Sequence, residues 1–465
     1  MYKSLATNIY RTADDRMFHC HGSLDPEPTM EALKVPRSMP EGSSLEECLK
    51  PYTEAVGKLQ SQDIQKLMSD EYRQAGTICY STDEFKETEH YKANSYVGLY
   101  EIHSVERSKE RYPPSWWPST PQTSPSRPLA GLKVLDMTRI IAAPAITRGL
   151  AEYGASVMRV MSKHLPDSTQ LHVDLHWGKW TTNLDFRKPE DLEAVKKLIL
   201  DADIVVSGYR PRVMEKYGLG PDDIFRMIEE SGRERGIIVA RENCYGWNGP
   251  WSYRSGWQQI SDAVTGVSTG YSNAMGNPAG EAVTPVFPNS DYCTGVAGLA
   301  GILDAISRRG KEGGSYKVDV ALNYYSQWLV NSVGTYPKDV WEELWEGNGK
   351  PSFRHYHNMG YTIPVLMKAL YANAADTGLF RDEYFREVEN KAIGQSMRIV
   401  KPVVQWQGEY GPKQGFNVGT RGNAFDAPRW PRDLLTEIVG AEDEECVVGG
   451  LKGKAEALKD VVVGA

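Results

Sequence analysis

Between residues 132 and 243 short apolar runs alternate with amphipathic stretches, and no other feature limits the fold of this chain so tightly. LKVLDM (132–137), SVMRVM (156–161), DIVVSGY (203–209) and GIIVAREN (236–243) have the length and residue content of buried strands. APAITRGLAEYG (143–154), PEDLEAVKKLILDA (189–202) and PDDIFRMIEESG (221–232) read as helices, the first with Pro144 in its opening turn and Gly154 just past its end. Strands separated by helices predict an α/β fold with a parallel sheet covered on both faces. Ligands on such sheets sit at the carboxyl ends of the strands.

The stretch YPPSWWPSTPQTSPSRP (112–128) is too rich in proline to hold a helix or a central strand, because proline lacks a backbone donor and fixes φ. It reads as an extended connector between a module at 1–111 and a larger domain at 129–465. In the module, YRTADDRMFHCHGSL suggests a hairpin turning at Ala13-Asp14. SSLEECLKPYTEAVGKLQ and SQDIQKLMSDEYRQAG suggest two helices opened by serine caps. The module is therefore expected to be a small α+β domain. A length of 465 residues exceeds one ordinary core and agrees with two domains.

Several function classes lose support here. A net charge of −8 argues against a nucleic-acid or anionic-membrane surface. No run approaches the roughly 18 apolar residues that a membrane span needs. The first residues reach Asp14 and Asp15 before any apolar run develops, unlike a secretory signal. The six cysteines (Cys20, Cys48, Cys79, Cys244, Cys293, Cys446) form no C-x-x-C pair, so free thiols in the cytoplasm are expected. His19/His21 and His355/His357 each lie two apart, but neither pair has a third ligand nearby, and no metal is expected. The absence of G-x-G-x-x-G and Walker motifs leaves nicotinamide and ATP chemistry without support.

Asp291 follows the extended PVFPNS and precedes TGVAGLAGILDAISRR, a clear helix. By position it is either an N-cap aspartate holding first-turn amides or a reactive carboxylate, and the helix N-terminus favours its charged form in both cases. Gly295, Ala297, Gly298 and Gly301 in that helix permit close approach, of a ligand or of another helix.

Three stretches, in order, resemble the family III CoA-transferases. PLAGLKVLDMTRIIAAPAITRGLAEYGASVMRV (128–160) is similar to that family's opening strand–helix–strand. DADIVVSGYRPRVMEKYGLGPDDI (201–224) is similar to its valine-rich strand, Arg-Pro and Gly-Leu segment. NCYGWNGPWSYRSGWQQISDAVTG (243–266) and PVFPNSDYCTGVAGLAGILDAISRRGKEGGSYKVDVAL (285–322) resemble its Gly-Pro loop and its aspartate before a Gly/Ala-rich helix.

The resemblance implies a Rossmann-like large domain, a smaller α+β domain and an interlocked homodimer. It implies Asp291 as the nucleophile, an aspartyl-CoA thioester, acyl-CoA and carboxylic acids as substrates, and no tightly bound cofactor. It points to Arg139, Ala143, Lys179, Tyr209, Lys216, Tyr217, Trp257 and Gln258 as contacts of coenzyme A. The chain departs from the family pattern at Ala143-Pro144 (Gly-Pro), Ile141 (Gln in some members), Arg212 (Gly) and Trp257-Gln258-Gln259 (Tyr-Asp or His-Asp), and it lacks a run of glycines. An acyl-CoA racemase on the same fold is a second reading, but Trp257 stands where that branch needs a histidine base. A repurposed acid/base enzyme and a non-catalytic CoA-binding protein are further alternatives. Finally, YRTADDRMFHCHGSL and AGTICYSTDEFKETEHYKA resemble the family's small domain, which there follows the strand matching YKVDVAL (316–322). Residues 1–111 are therefore expected to be that domain, permuted to the N-terminus and covering the cleft of Asp291.

Overall fold

The structure is a computed structural model that describes residues 1–408, 415–432 and 438–439; Cys446 and the end of the expected 129–465 domain lie outside the described residues. The chain gathers into two compact units. One holds Met1–Tyr100, Asn243–Thr294 and Val320–Phe380. The other holds Glu101–Glu242, Gly295–Asp319 and the described residues from Arg381 onward. Among the described residues no helix is long and apolar enough to cross a membrane.

In the first unit, β1 (Asn8–Arg11) and β2 (Met17–His21) form the expected hairpin, closed by Thr12 N–H on the Arg16 carbonyl at 2.8 Å. β3 (Ala75–Ile78) pairs antiparallel with β2. The helix Leu45–Val56 starts where the sequence places it: the Ser44 hydroxyl accepts the Glu47 amide, and the Glu47 carboxylate reaches back to the Ser44 amide at 2.7 Å. Its buried face joins Tyr10, Phe18, Tyr52, Ile64 and Met68 in one core. Each such side chain contributes about 1.5–3 kcal/mol by leaving water. The helix Gln258–Thr265 packs on this sheet, with the Ala263 carbonyl accepting from Tyr80 N–H at 3.0 Å.

The second unit is the Rossmann-like one. Its seven-stranded sheet comprises β4 (Glu101–Ser104), β5 (Lys133–Met137), β6 (Ser156–Met161), β7 (Lys179–Asn183), β8 (Ile204–Ser207), β9 (Ile238–Asn243) and β10 (Tyr316–Ala321), in the order β4-β10-β9-β8-β5-β6-β7. The strand pairs β5–β6, β6–β7, β5–β8 and β8–β9 are parallel, with Val134 opposite both Val157 and Ile204. The chain runs outward from β5 to β7 and then returns to β8 beside β5. The point of reversal, between β5 and β8, is where ligands enter such sheets.

The linker does not divide the chain as its composition suggested. β4 lies before it, yet pairs antiparallel with β10 at the sheet edge, because ladder hydrogen bonds reach across any length of sequence. The linker is also fastened to its own unit. The Trp117 indole donates to the Ala130 carbonyl at 2.9 Å, and the Trp116 ring leaves no room for a Cβ at Gly310. β7, KWTTN, escaped the sequence reading because it has no apolar run. Its first four residues are nevertheless buried, with Thr181 bonded to Asp426 and to the Gly422 carbonyl at 2.9 and 2.6 Å. The hairpin of β11 (Phe385–Asn390) and β12 (Gln395–Val400) escaped it too, being polar and mostly exposed.

Candidate active site

On the Rossmann-like unit, Arg139 and Tyr209 follow β5 and β8 and so share the switch point. Between Arg139 and the helix Ala142–Glu152, Ile140 adopts a φ of +46°. That left-handed backbone costs a β-branched residue about 1–2 kcal/mol, and strain of this kind collects at functional sites. Ala143, buried in the first turn, lies 2.7 Å from where a Cβ on Gly208 would sit, so the glycine lets the helix start approach the end of β8. Burial raises the pKa of the Tyr209 hydroxyl, while the Arg139 guanidinium pulls it down. Arg139 itself donates to the Pro166 carbonyl.

Lys179 lies beneath this edge. It is fully buried, and its ammonium donates to Asp136 and to the Pro144 carbonyl, both at 2.9 Å. Thr138 and Thr147 also donate to Asp136, at 2.5 and 2.6 Å. Burial pushes Lys179 down to about 8 against the pull of Asp136. Burial alone would raise Asp136, but Lys179 and Arg159 hold it below the usual carboxylate range. Lys179 is thus a strut under the helix start. Lys216 is exposed and Tyr217 half-buried in the turn Met214–Tyr217, the tyrosine ring standing edge-on to Phe186 at 5.8 Å. Arg212 takes a φ of +65°. Arg159 was missed by the sequence reading, although a guanidinium inside the apolar SVMRVM is itself a signal. It is buried on β6 and pairs with Asp167 at 3.0 Å, and Asp167 also meets His172 at 3.1 Å.

In the other unit, Asp291 is half-buried in the first turn of the helix Asn289–Glu312. The preceding Ser290 hydroxyl donates to Asp262 at 3.2 Å, and Gln258 donates to the second oxygen of the same carboxylate. Burial pushes Asp262 up to about 7, against the two donors. The Gln258 amide oxygen is buried and finds no partner among the described residues. Trp257 immediately precedes the helix Gln258–Thr265; its ring lies parallel to His21 at 5.2 Å, and its indole donates to Ser23 at 3.0 Å. Gln258 thus shares Asp262 with Ser290, the residue before Asp291, while Trp257 is held by His21 and Ser23. The structure also adds Asp262, which the sequence announced only as an acid four residues beyond Gln258. Gly295 belongs to helix packing: a Cβ there would come within 2.6 Å of the Ala145 methyl.

The paired histidines are engaged elsewhere. His19 meets Thr284 at 3.3 Å, His21 meets Gln259 at 3.1 Å and His355 meets Glu281 at 2.9 Å. Among the described residues Glu101, His103 and Asp319 come close enough to share a cation, but Arg241 already holds Asp319 through two bonds of 2.6 and 3.0 Å. A guanidinium in that place opposes a metal ion.

A family model described as CoA-transferase family III matches residues 129–359. The acetyl-coenzyme A transferase nodX of Hypoxylon pulicicidum is 48% identical over 447 residues, covering 96% of this chain and 74% of that protein. An acyl-CoA transferase of Gibberella moniliformis is 32% identical over 414 residues, 88% of this chain and 71% of that one. The crystal structure of the hypothetical protein Rv3272 from Mycobacterium tuberculosis matches 61% of this chain and 94% of that chain, with a TM-score of 0.45 and 23% identity. The identity to the first two relatives, sustained over nearly all of the sequence, makes this chain an enzyme that belongs to the family III CoA-transferases.

Proposed function

We propose that the enzyme moves CoA between carboxylic acids through an aspartyl-CoA thioester on Asp291. The observation that carries this reading is the place of Asp291 in the opening turn of a long helix, where the free amides and the dipole favour a carboxylate. The carboxylate attacks the thioester carbonyl of acyl-CoA and expels the CoA thiolate, leaving a mixed anhydride. The thiolate then attacks the aspartyl carbonyl, forming the thioester and releasing the donor acid. The acceptor carboxylate attacks that thioester and expels the thiolate again. Attack of the thiolate on the acceptor's acyl carbonyl yields the new acyl-CoA and returns Asp291.

On the Rossmann-like unit, Arg139, Ala143, Tyr209, Lys216 and Tyr217 are the proposed contacts of CoA, with Lys179 supporting them from below. On the other unit, Trp257 and Gln258 frame the reacting carboxylate. We propose further that the active form is an interlocked homodimer and that the N-terminal module is the family's small domain, permuted. The packing of the Gln258–Thr265 helix on the sheet of β1 to β3 supports the latter.

Hydroxylamine tests the chemistry. It should inactivate the enzyme only after exposure to acyl-CoA, and the hydroxamate should map to residue 291. Asp291→Asn should lower transfer by at least about 10³-fold with unchanged melting, since asparagine keeps the size and shape of the side chain but is no nucleophile. Labelling elsewhere, or substantial residual transfer by an Asp291→Asn protein verified to be free of deamidation, would exclude the mechanism.

A further inference from the structure

At the switch point of the Rossmann-like unit stands an acid that the transfer chemistry leaves unused. Glu242 lies at the carboxyl end of β9, which pairs with β8. A Cβ on Gly208, just past β8, would meet the Ala143 methyl at 2.7 Å, the Thr138 Cβ at 3.6 Å and a Glu242 carboxyl oxygen at 3.7 Å. The Glu242 carboxyl, the start of the helix Ala142–Glu152 and the end of β8 therefore surround one point, and Tyr209 is the next residue after Gly208.

Nothing in this setting holds the carboxyl. Among the described residues it has no hydrogen-bond or ion-pair partner. Arg241 is held by Asp319 at 2.6 and 3.0 Å, and neighbours along a strand point to opposite faces. The Thr138 hydroxyl is committed to Asp136 at 2.5 Å. Other acids in the interior of this unit are partnered: Asp136 by Lys179, Thr138 and Thr147, and Asp203 by Arg235 at 2.6 Å. Glu242 is half-buried, and burial pushes it up to about 8 with nothing opposing the rise, so at neutral pH it carries a proton. In that form it offers one O–H donor and a free acceptor oxygen. An enclosed polar group left without a partner needs a reason, and at the switch point of a sheet a ligand supplies one.

We infer that Glu242 positions bound CoA through the amides of its pantetheine arm, donating to a carbonyl and accepting from an N–H. The inference rests on the transfer reading above, which brings CoA to this edge of the sheet. Arg139 and Lys216 supply the positive charge that the phosphates of CoA require. Glu242 adds no charge there and stands beside the small Ala143 and Gly208, where an uncharged chain can lie close to the backbone. A carboxylate in that place would lose the donor and repel the phosphates of the same ligand.

The test titrates the intact protein with CoA and with adenosine 3′,5′-bisphosphate, which keeps the nucleotide but has no amide arm. Glu242→Leu should weaken CoA by about tenfold, as the loss of a hydrogen bond does, and leave the bisphosphate within about twofold. Glu242→Gln has the same reach and keeps a donor and an acceptor, so it should bind CoA within about threefold of wild type. Neither variant should melt lower, since each removes an acid that no side chain holds. Unchanged CoA affinity in Glu242→Leu, equal weakening of both ligands, or no rescue by Glu242→Gln overturns the inference. The titrations need no chemistry at Asp291. Any of those results, with CoA bound by the wild type and hydroxamate at residue 291, sinks the role of Glu242 and spares the transfer reading. The expected binding pattern without any hydroxamate does the reverse.

Discussion

Asp291 and Asp262 are joined through a single serine, yet their surroundings set them apart. Asp262 is enclosed, and its carboxyl titrates near 7 against an ordinary value of 3.8. A carboxyl whose folded pKa is raised contributes stability that is complete below the unfolded value and is lost as pH climbs through the folded one. The wild-type protein should therefore lose stability between about pH 4 and 7, by at most about 4 kcal/mol. Asp262→Asn should flatten that interval in denaturant melts at pH 5 and 8, because its amide can donate to the unpartnered Gln258 oxygen at any pH. An unchanged slope would show that Asp262 is not the titrating group. Arg212 gives a second residue-scale prediction. The resemblance placed a glycine there, and the left-handed φ explains the preference. Arg212→Gly should stabilise the fold by roughly 1 kcal/mol in the same melts. The helix that opens around Asp291 was legible from the extended PVFPNS before it and the Gly/Ala-rich run after it. Asp262 was not, because one acid inside a short helix looks like a surface residue until its burial is known.

At the scale of elements, helices and strands were legible wherever apolar periodicity marked them. All four quoted strands and all three quoted helices of residues 132–243 exist within a residue or two at most edges. β7 was illegible because its burial depends on polar partners, not on apolar side chains. Lys179, at its head, was expected at the ligand surface and stands instead in a fully buried ion pair with Asp136. Removing one member of such a pair leaves the other charge stranded. Lys179→Met should therefore cost about 3–5 kcal/mol of stability, read as a lowered denaturation midpoint. A purely ligand-binding role would instead raise the Michaelis constant for acyl-CoA and leave melting unchanged.

The whole molecule obeys a boundary that composition could not show. The linker was read as a divider because prolines interrupt regular structure, but contacts made far along the chain carry β4 into the sheet of β5 to β10. A protein beginning at Leu129 would lack β4 and expose the hydrogen-bonding edge of β10, a template for aggregation. It should be insoluble or inactive, and light scattering of the full chain should give a dimer that persists on dilution. A soluble, fully active truncation would refute both the role of β4 and the proposed part of the N-terminal module.

The fastened linker has a consequence for how this sequence tolerates change. Lengthening a free tether is nearly harmless, since each doubling adds only about 0.6 kcal/mol of closure entropy. Here Trp117 is seated on the Ala130 carbonyl, Trp116 fills the space over Gly310, and the Tyr112 carbonyl accepts from Gly314 N–H at 2.9 Å. A segment written in the alphabet of a hinge thus behaves as a fitted strip with a fixed register. One or two inserted residues between Tyr112 and Trp117 would slide both indoles off their seats, so natural relatives and engineered fusions alike should vary in length elsewhere.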